Sequence, residues 1–154
     1  MSSSPSPDQD YAGDIAVAEA WALLSTDPRA QLIDVRCQAE WQFVGRADLS
    51  SLEQPDQHRA HCVEWLAYPK MQPNPDFVAQ AREALDEAGA DTDTPILFLC
   101  RSGARSRAAA AAMTRAGYVR SYNVASGFEG DLDPHGHRGS TGGWKAAGLP
   151  WRQT

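Results

Sequence analysis

The apolar run Ile96–Leu99, together with the residues that follow it, constrains the fold of this chain more than any other feature. Pro95 precedes the run, and its length and composition are typical of a buried β-strand. A short loop, 100–106, then leads into an alanine-rich stretch at 108–112 that begins a strong helical pattern. The sequence therefore predicts a strand that passes through a tight loop into a helix, and Gly117 is expected to end that helix.

The rest of the chain alternates between helical and strand-like patterns. Asp14 is expected to cap the first helix. The strands lack regular alternation of polar and apolar residues, as expected of strands buried on both faces of a parallel sheet. We therefore predict an α/β domain with a parallel sheet, and a site beyond the carboxyl ends of its strands. Further helices are predicted over 15–24, 39–43, 76–88 and 144–148, and further strands over 31–35, 61–65 and 121–124.

Cys100 begins the loop at the carboxyl end of the predicted strand. Backbone N–H groups at a helix start lack intrahelical acceptors and lie at the positive end of the helix dipole, so they favour a nearby thiolate or oxyanion. Cys100 should therefore ionise more readily than a free thiol. Arg101 and Arg105 add positive charge suited to an anion with several oxygens, and Gly103 allows the loop amides to converge. The simpler alternative is a buried strand-end cysteine beside solvated arginines.

The loop Cys100–Ser106, with the sequence CRSGARS, resembles the active-site loop of single-domain rhodanese sulfurtransferases. The resemblance covers most of residues 13 to 154, and it implies a rhodanese-like three-layer fold with a central, mainly parallel sheet flanked by helices. Two further segments support the resemblance. The first is Leu32–Arg36 followed by Glu40 and Trp41, which is similar to the family's D-V-R-x-x-x-E-[WYF] element. The second is Tyr122–Val124 followed by Gly127 and Phe128, where the family commonly has a strand and a G-G-[FW] turn.

The resemblance also implies a reaction. Cys100 is expected to take the outer sulfur of thiosulfate or a similar donor, to carry it as a persulfide, and to pass it to cyanide or a thiol acceptor. No metal or organic cofactor is required, and a sulfur-accepting protein is a further candidate partner. The residues expected to bind the substrate anion are Arg101, Ser102, Gly103, Ala104 and Arg105.

Four other residues are candidates for roles at the site. Asp34, Arg36 and Ser106 are expected to support the loop; Asp34 would orient an arginine or satisfy loop amides, or alternatively cap the helix that follows it. Cys37 lies at the same predicted end of the sheet as Cys100. A resolving thiol or sulfur acceptor is one interpretation of Cys37, and an inert loop cysteine is the other.

One segment departs from the family pattern, and another has an unusual composition. Many rhodaneses continue with G-H-I-x-G-A after the residue equivalent to Trp41, whereas this chain has Arg46 where the family has histidine. No role is therefore borrowed for residues 45–60. The glycine-rich extension 126–154 contains Trp144 and Trp151, which are expected to pack it onto the domain; a rim or lid over the site is the alternative.

Loop length separates the sulfurtransferase interpretation from a second enzymatic one. Cysteine-dependent phosphatases use a C-x5-R loop that is wide enough for a phosphate, and an arsenate reductase would use the same thiolate chemistry. Here Arg105 follows Cys100 after four residues, which favours a sulfur atom over a phosphoryl group. A third interpretation is a non-catalytic or slow sulfur-carrier module that binds a partner, although the intact Cys100 argues against an inactive domain.

Composition narrows the partners and the compartment. The formal net charge of −6 argues against generic binding to nucleic acid. Residues 1–12 are rich in Ser and Pro and are expected to form a disordered tail rather than a signal peptide. No apolar run is long enough for a membrane span. The chain is therefore expected to be cytoplasmic, with residues 13–154 as a single domain.

The remaining cysteine and histidine residues are not expected to form special sites. Three widely spaced cysteines do not suggest a disulfide framework. Cys62 falls in a predicted strand and is expected to be a buried core residue. Neither His58 with His61 nor His135 with His137 has the spacing of a known zinc site, so structural or exposed roles are favoured.

Overall fold

The computed structural model describes residues 10–54 and 57–153. The strands are β1 Gly13–Ile15, β2 Gln31–Asp34, β3 Arg46–Ala47, β4 Ala60–Cys62, β5 Leu66–Ala67, β6 Gln72–Pro73, β7 Ile96–Leu99, β8 Ser121–Val124 and β9 Trp151–Arg152. The helices are α1 Val17–Thr26, α2 Gln38–Phe43, α3 Phe77–Glu87, α4 Ala104–Arg115 and α5 Gly143–Ala146.

A five-stranded sheet in the order β1-β8-β7-β2-β4 forms the middle layer, and all of its neighbouring strands run parallel. Every residue of β2, β7 and β8 is buried, which explains why these strands lack polar alternation. Because the strands are parallel, the residues that follow β2 and β7 leave the same edge of the sheet. Residues 35–37 and the Cys100 loop are thereby brought together.

Successive strand residues point to opposite faces, so the sheet carries two separate apolar cores. On one face, Ile33 and Phe98 pack with apolar residues of α3 and α4. On the other face, Leu32 and Leu99 pack with apolar residues of α1 and with Trp144 of α5. The fold is therefore the predicted α/β arrangement of a parallel sheet between two helical layers.

The start of the domain differs from the prediction. The first helix begins at Val17 rather than at residue 15, and Asp14 does not cap it, because residues 13–15 form strand β1 beside β8. The Glu19 carboxylate instead accepts a hydrogen bond from the N–H of Ala16 at 3.2 Å. This short strand was not predicted because Gly and Asp are poor strand formers.

The structure differs from the predicted tail 1–12 at its inner end. Residues 1–9 of that prediction lie outside the described residues. Tyr11 is buried, and the N–H of Ala12 donates to the Ser121 carbonyl at 2.9 Å. Residues 11 and 12 therefore belong to the fold, because they extend the contact between β1 and β8.

Cys62 is not a core residue, which corrects the prediction made for it. The predicted strand 61–65 is the shorter β4, which lies at an edge of the sheet with only β2 beside it. Cys62 is exposed there, and the next residue, Val63, is the buried one. The apolar pattern thus correctly predicted a strand. The prediction of which strand residues face the core was wrong.

The segment without a family counterpart pairs with the end of the chain. Arg46 and Ala47 form β3, which runs antiparallel to β9, with Ala47 opposite Trp151. Trp144 is fully buried, and its indole N–H donates to the Pro150 carbonyl at 2.6 Å. The Trp151 ring meets Phe128 edge-on at a centroid distance of 6.2 Å. The carboxyl-terminal residues thus contact the domain on the face of the sheet that carries α1.

Candidate active site

Cys100 lies between the end of β7 and the start of α4, as the sequence pattern predicts, and only 1% of its surface is exposed. The N–H of Gly103, the residue that caps α4, donates to Cys100 Sγ at 3.1 Å. Gly103 has a φ of 115°, and a Cβ atom there would overlap the Ala125 carbonyl oxygen. Only glycine combines this backbone with that close approach. The loop therefore directs a helix amino terminus at the sulfur atom.

A buried side-chain network supports Cys100 from beneath the loop. Ser106 Oγ lies 3.2 Å from Cys100 Sγ and 2.5 Å from Asn123 Oδ1. The side-chain amide of Asn123 donates to Asp14 Oδ1 at 2.9 Å, which leaves its oxygen facing Ser106. A hydroxyl has one proton and two lone pairs. Ser106 can therefore accept a hydrogen bond from the Cys100 thiol while donating to Asn123, or turn its proton toward a thiolate.

The sequence analysis identified Ser106 but missed Asn123 and Asp14 as members of this network. A signal was present, since asparagine is disfavoured in strands and Asn123 lies in the middle of a run predicted to be buried. A polar side chain in such a place needs hydrogen-bond partners. The partner could not be named, because Asp14 is 109 residues away in sequence.

A turn after β8 fixes the first residues of the loop. The N–H of Phe128 donates to the Cys100 carbonyl at 2.8 Å, and the N–H of Glu129 donates to the Arg101 carbonyl at 3.0 Å. A Cβ atom on Gly127 would overlap the backbone of Cys100 and Arg101. The turn 127–129 therefore holds the loop backbone without using side chains.

Arg105 is held by an acidic residue of α2. Its guanidinium makes two hydrogen bonds to the Glu40 carboxylate, of 2.7 Å and 2.9 Å. Burial alone would raise the pKa of Glu40, but Arg105 and the N–H of Cys37 lower it to about 2. The hydrogen bonds that Arg105 donates to Glu40 raise the pKa of Arg105 above its usual value. The pair is therefore ionised. Arg105, one of the residues predicted to bind the substrate anion, already has Glu40 as its anionic partner.

Asp34 and Arg36 form a second, deeper ion pair. Arg36 is fully buried; its Nη2 lies 2.7 Å from Asp34 Oδ2 and also donates to the Gly45 carbonyl at 2.7 Å. Burial alone would lower the pKa of Arg36, but Asp34 raises it, so the guanidinium stays charged. The guanidinium lies 4.3 Å from the centre of the Phe128 ring. Asp34 thus orients Arg36 against Phe128, in the turn that holds the backbone of Cys100. Asp34 does not cap α2, because Cys37 occupies that position.

The loop faces a cavity of about 710 Å³. Cys100, Arg101 and Ser102 line it together with Ala104 and Arg105. Arg101 is exposed, and its side chain makes no hydrogen bond or ion pair with any other residue in the described ranges. Within the loop, Arg101 therefore has an available charge, whereas the charge of Arg105 is already paired. Arg138 also lines the cavity, and its guanidinium donates to the Gly130 carbonyl at 2.7 Å.

Cys37 and Cys62 differ in their relation to this cavity. Cys37 is 4% exposed and lines it together with Cys100, whereas Cys62 lies outside it at the sheet edge. All three cysteines are free thiols. The structure therefore brings one second thiol, Cys37, to the cavity.

The histidines considered as metal ligands lie apart from the loop. His135 and His137 belong to a turn in which both backbone N–H groups donate to Asp133. His61 Nε2 lies 2.8 Å from Gln31 Oε1. Across residues 10–54 and 57–153, no group of three or more His, Cys, Asp or Glu residues is arranged to hold a metal ion. Over the same residues, no helix is long and apolar enough to cross a membrane.

Comparison with known proteins identifies relatives over most of the chain. A family model described as Rhodanese-like domain matches residues 16–132. The uncharacterized protein RP600 of Rickettsia prowazekii is 33% identical over 138 residues, which are 90% of this chain and 95% of that protein. The family match includes β2, the Cys100 loop and β8, which together build the site described above.

Two solved structures share the fold. The crystal structure of Rv0390 from M. tuberculosis has 49% sequence identity and a TM-score of 0.81, and the alignment covers 94% of this chain and 99% of that one. The solution structure of the polysulfide-sulfur transferase homodimer from Wolinella succinogenes has 22% identity and a TM-score of 0.56, over 94% of this chain and 80% of that one. The second likeness is one of fold alone.

Proposed function

The chain belongs to the rhodanese-like domain family, and we propose that it is a sulfurtransferase that moves sulfane sulfur through a persulfide on Cys100. Family membership supports sulfurtransferase-type chemistry in general. The observation that carries the specific proposal is the contact between Cys100 Sγ and the N–H of Gly103 at the start of α4. A buried sulfur with this contact is suited to be an anion both before and after it takes up a second sulfur atom.

Two displacement steps make up the proposed reaction. In the first, the Cys100 thiolate attacks the outer sulfur of thiosulfate; the S–S bond of the donor breaks, and its electron pair leaves with sulfite. In the second, cyanide or a thiolate attacks the outer sulfur of the persulfide, and the electron pair of the broken S–S bond returns to Cys100. The loop amides stabilise the anionic sulfur in both states. Ping-pong kinetics are expected.

Of the two arginines in the Cys100 loop, Arg101 is the better candidate for holding the oxygens of the donor. It lines the cavity beside Cys100 and has no ionic partner among the described residues. Arg105 also lines the cavity, but Glu40 occupies its guanidinium. We therefore assign donor binding to Arg101 and a positioning role to Arg105, which connects the loop to α2.

Mass spectrometry of the intact protein tests this proposal. After treatment with thiosulfate, the protein should gain one sulfur atom, and peptide mapping should place it on Cys100. Cys62→Ser is the control, because Cys62 lies outside the cavity; this variant should gain the sulfur like the parent protein. Absence of the added sulfur on Cys100, or hydrolysis of nitrophenyl phosphate in its place, would reject the sulfurtransferase.

The same loaded protein separates an enzyme from a slow carrier. Rapid loss of the added sulfur on addition of cyanide indicates a sulfurtransferase with a small acceptor. A persulfide that persists in cyanide and in small thiols indicates a carrier that discharges to a partner protein.

A further inference from the structure

Part of the lining of the cavity that holds Cys100 is apolar. We call it the apolar wall, and it consists of Val44, Leu66, Tyr68, Pro69 and Met71. Tyr68 is 53% exposed and Met71 is 39% exposed, so these side chains are not filling the core. An exposed apolar surface in the same cavity as a reactive sulfur is available to a substrate.

The conformation of Met71 indicates that the wall has a function. Met71 lies at the end of the turn between β5 and β6, and its N–H donates to the Ala67 carbonyl at 2.7 Å. Within the described ranges, Met71 is the one non-glycine residue with a positive φ, which is 54°. Glycine adopts this backbone without penalty. The chain instead places a long, adaptable thioether here, directed at the cavity, and such outliers cluster at ligand sites.

The size of the cavity also exceeds what the donor needs. Its volume of about 710 Å³ falls within the roughly 300–1,000 Å³ of pockets that enclose drug-sized ligands. A small anion held by Arg101 near Cys100 would leave the apolar wall uncovered. A substrate with a larger apolar body would cover it and remove that surface from water.

We propose that the sulfur acceptor is an organic thiol whose apolar body packs on this wall, and the inference rests on the proposed function. The acceptor enters as a thiolate, and its sulfur attacks the outer sulfur of the Cys100 persulfide. The bond between the two persulfide sulfurs breaks, and its electron pair restores the Cys100 thiolate. The transferred sulfur leaves with the acceptor as an organic persulfide. Cyanide can accept the same sulfur, but it gains nothing from the wall.

A homologous series of acceptors tests the inference. Protein loaded from thiosulfate is discharged with ethanethiol, butanethiol or hexanethiol, and with cyanide in parallel. In the parent protein, kcat/KM should rise about three- to fourfold for each added methylene that the wall covers. Met71→Gly should reduce this increment and leave discharge by cyanide within about twofold. Glycine suits the backbone of position 71, so this variant should fold as well as the parent.

Leu132→Ala is the matched control, because Leu132 is an exposed apolar residue that does not line the cavity. It should keep the full chain-length dependence. A flat series in the parent protein, or an equal increment in parent and Met71→Gly, would overturn the inference while discharge by cyanide upheld the sulfurtransferase.

Disulfide formation with Cys100 makes the two failures distinguishable. Alkyl methanethiosulfonates of the same chain lengths react with the Cys100 thiolate to form a mixed disulfide and release methanesulfinate, with no need for sulfur transfer. The rate of Cys100 modification, followed by peptide mass spectrometry, should rise with chain length in the parent and less so in Met71→Gly. If this dependence appears but no persulfide ever forms, the proposed function is wrong, and the thiol-acceptor inference that rests on it is wrong as well.

Discussion

The two sides of the Cys100 loop are built differently. On the inner side, Ser106 and Asn123 are fully buried and joined by hydrogen bonds that extend to Asp14. On the outer side, Arg101 is exposed without an ionic partner among the described residues, and it lines the same cavity as the apolar wall. The inner side has its polar groups satisfied by the protein, whereas the outer side leaves them available to a substrate.

This contrast separates two tasks. A network whose donors and acceptors are all engaged holds one geometry, so it is suited to fix the position and charge of the sulfur. A surface with unpaired charge and exposed apolar area is suited to select what reaches the sulfur. Changes on the inner side should therefore alter the rate with every substrate alike, and changes on the outer side should alter the ratio between substrates.

Ser106→Ala should give the largest loss on the inner side. It removes the hydroxyl between Cys100 and Asn123, and a hydrogen bond to a charged group is worth enough to lower turnover by roughly 10- to 100-fold. The loss should be the same with cyanide and with an alkanethiol as acceptor. Ser25→Ala, at an exposed serine of α1 that does not line the cavity, should change turnover by less than about threefold. Unequal losses for the two acceptors in Ser106→Ala would break the proposed separation.

The Glu40–Arg105 pair lies at the boundary between the two sides and predicts a pH dependence of stability. Because the pKa of Glu40 is lowered to about 2 in the folded protein, its contribution is present above its usual value of 4.5 and is lost as the pH falls toward 2. Glu40→Gln should therefore be less stable than the parent at pH 7, by on the order of 2 kcal/mol after allowance for partial exposure. Urea unfolding from pH 7 to pH 3 should show the difference shrinking; a difference that is constant over this range would contradict the assignment.

Arg101→Gln should give the smallest effect, confined to the donor. Loss of an exposed charge beside the cavity should raise the KM for thiosulfate roughly fivefold and leave discharge of the loaded protein unchanged. Arg107→Gln is the control, because Arg107 is exposed on α4 and does not line the cavity. If Arg101→Gln slows discharge by cyanide and by thiols as much as it slows loading, Arg101 acts on the sulfur and not on the donor.

The parts of the site that could be predicted from the sequence are those set by local pattern. The β7–loop–α4 unit follows from an apolar run, a glycine that permits the tight loop and an alanine-rich helix, all within about twenty residues. The parallel sheet follows from strands without polar alternation. These features place Cys100 at a helix start without any knowledge of distant contacts.

The parts that could not be predicted depend on contacts between distant segments. Glu40 reaches Arg105 over 65 residues, and Asp14 reaches Asn123 over 109. Both pairings require the strand order, which local patterns do not specify. Asp14 shows the difficulty most clearly, since an aspartate before a helical pattern resembles a cap until the pairing of β1 with β8 is known. The apolar wall could not be predicted for a similar reason, because its residues come from the end of α2, from β5 and from the turn between β5 and β6.

Sulfur transfer from thiosulfate to cyanide by Cys100→Ser, measured beside Cys37→Ser, tests the central claim most directly. Cys100 Sγ accepts a hydrogen bond from the Gly103 N–H, whereas Cys37 lines the cavity from the cap position of α2. Cys100→Ser should therefore fold normally and show no transfer, and Cys37→Ser should retain transfer and still load sulfur on Cys100. Turnover that survives in Cys100→Ser would contradict the account.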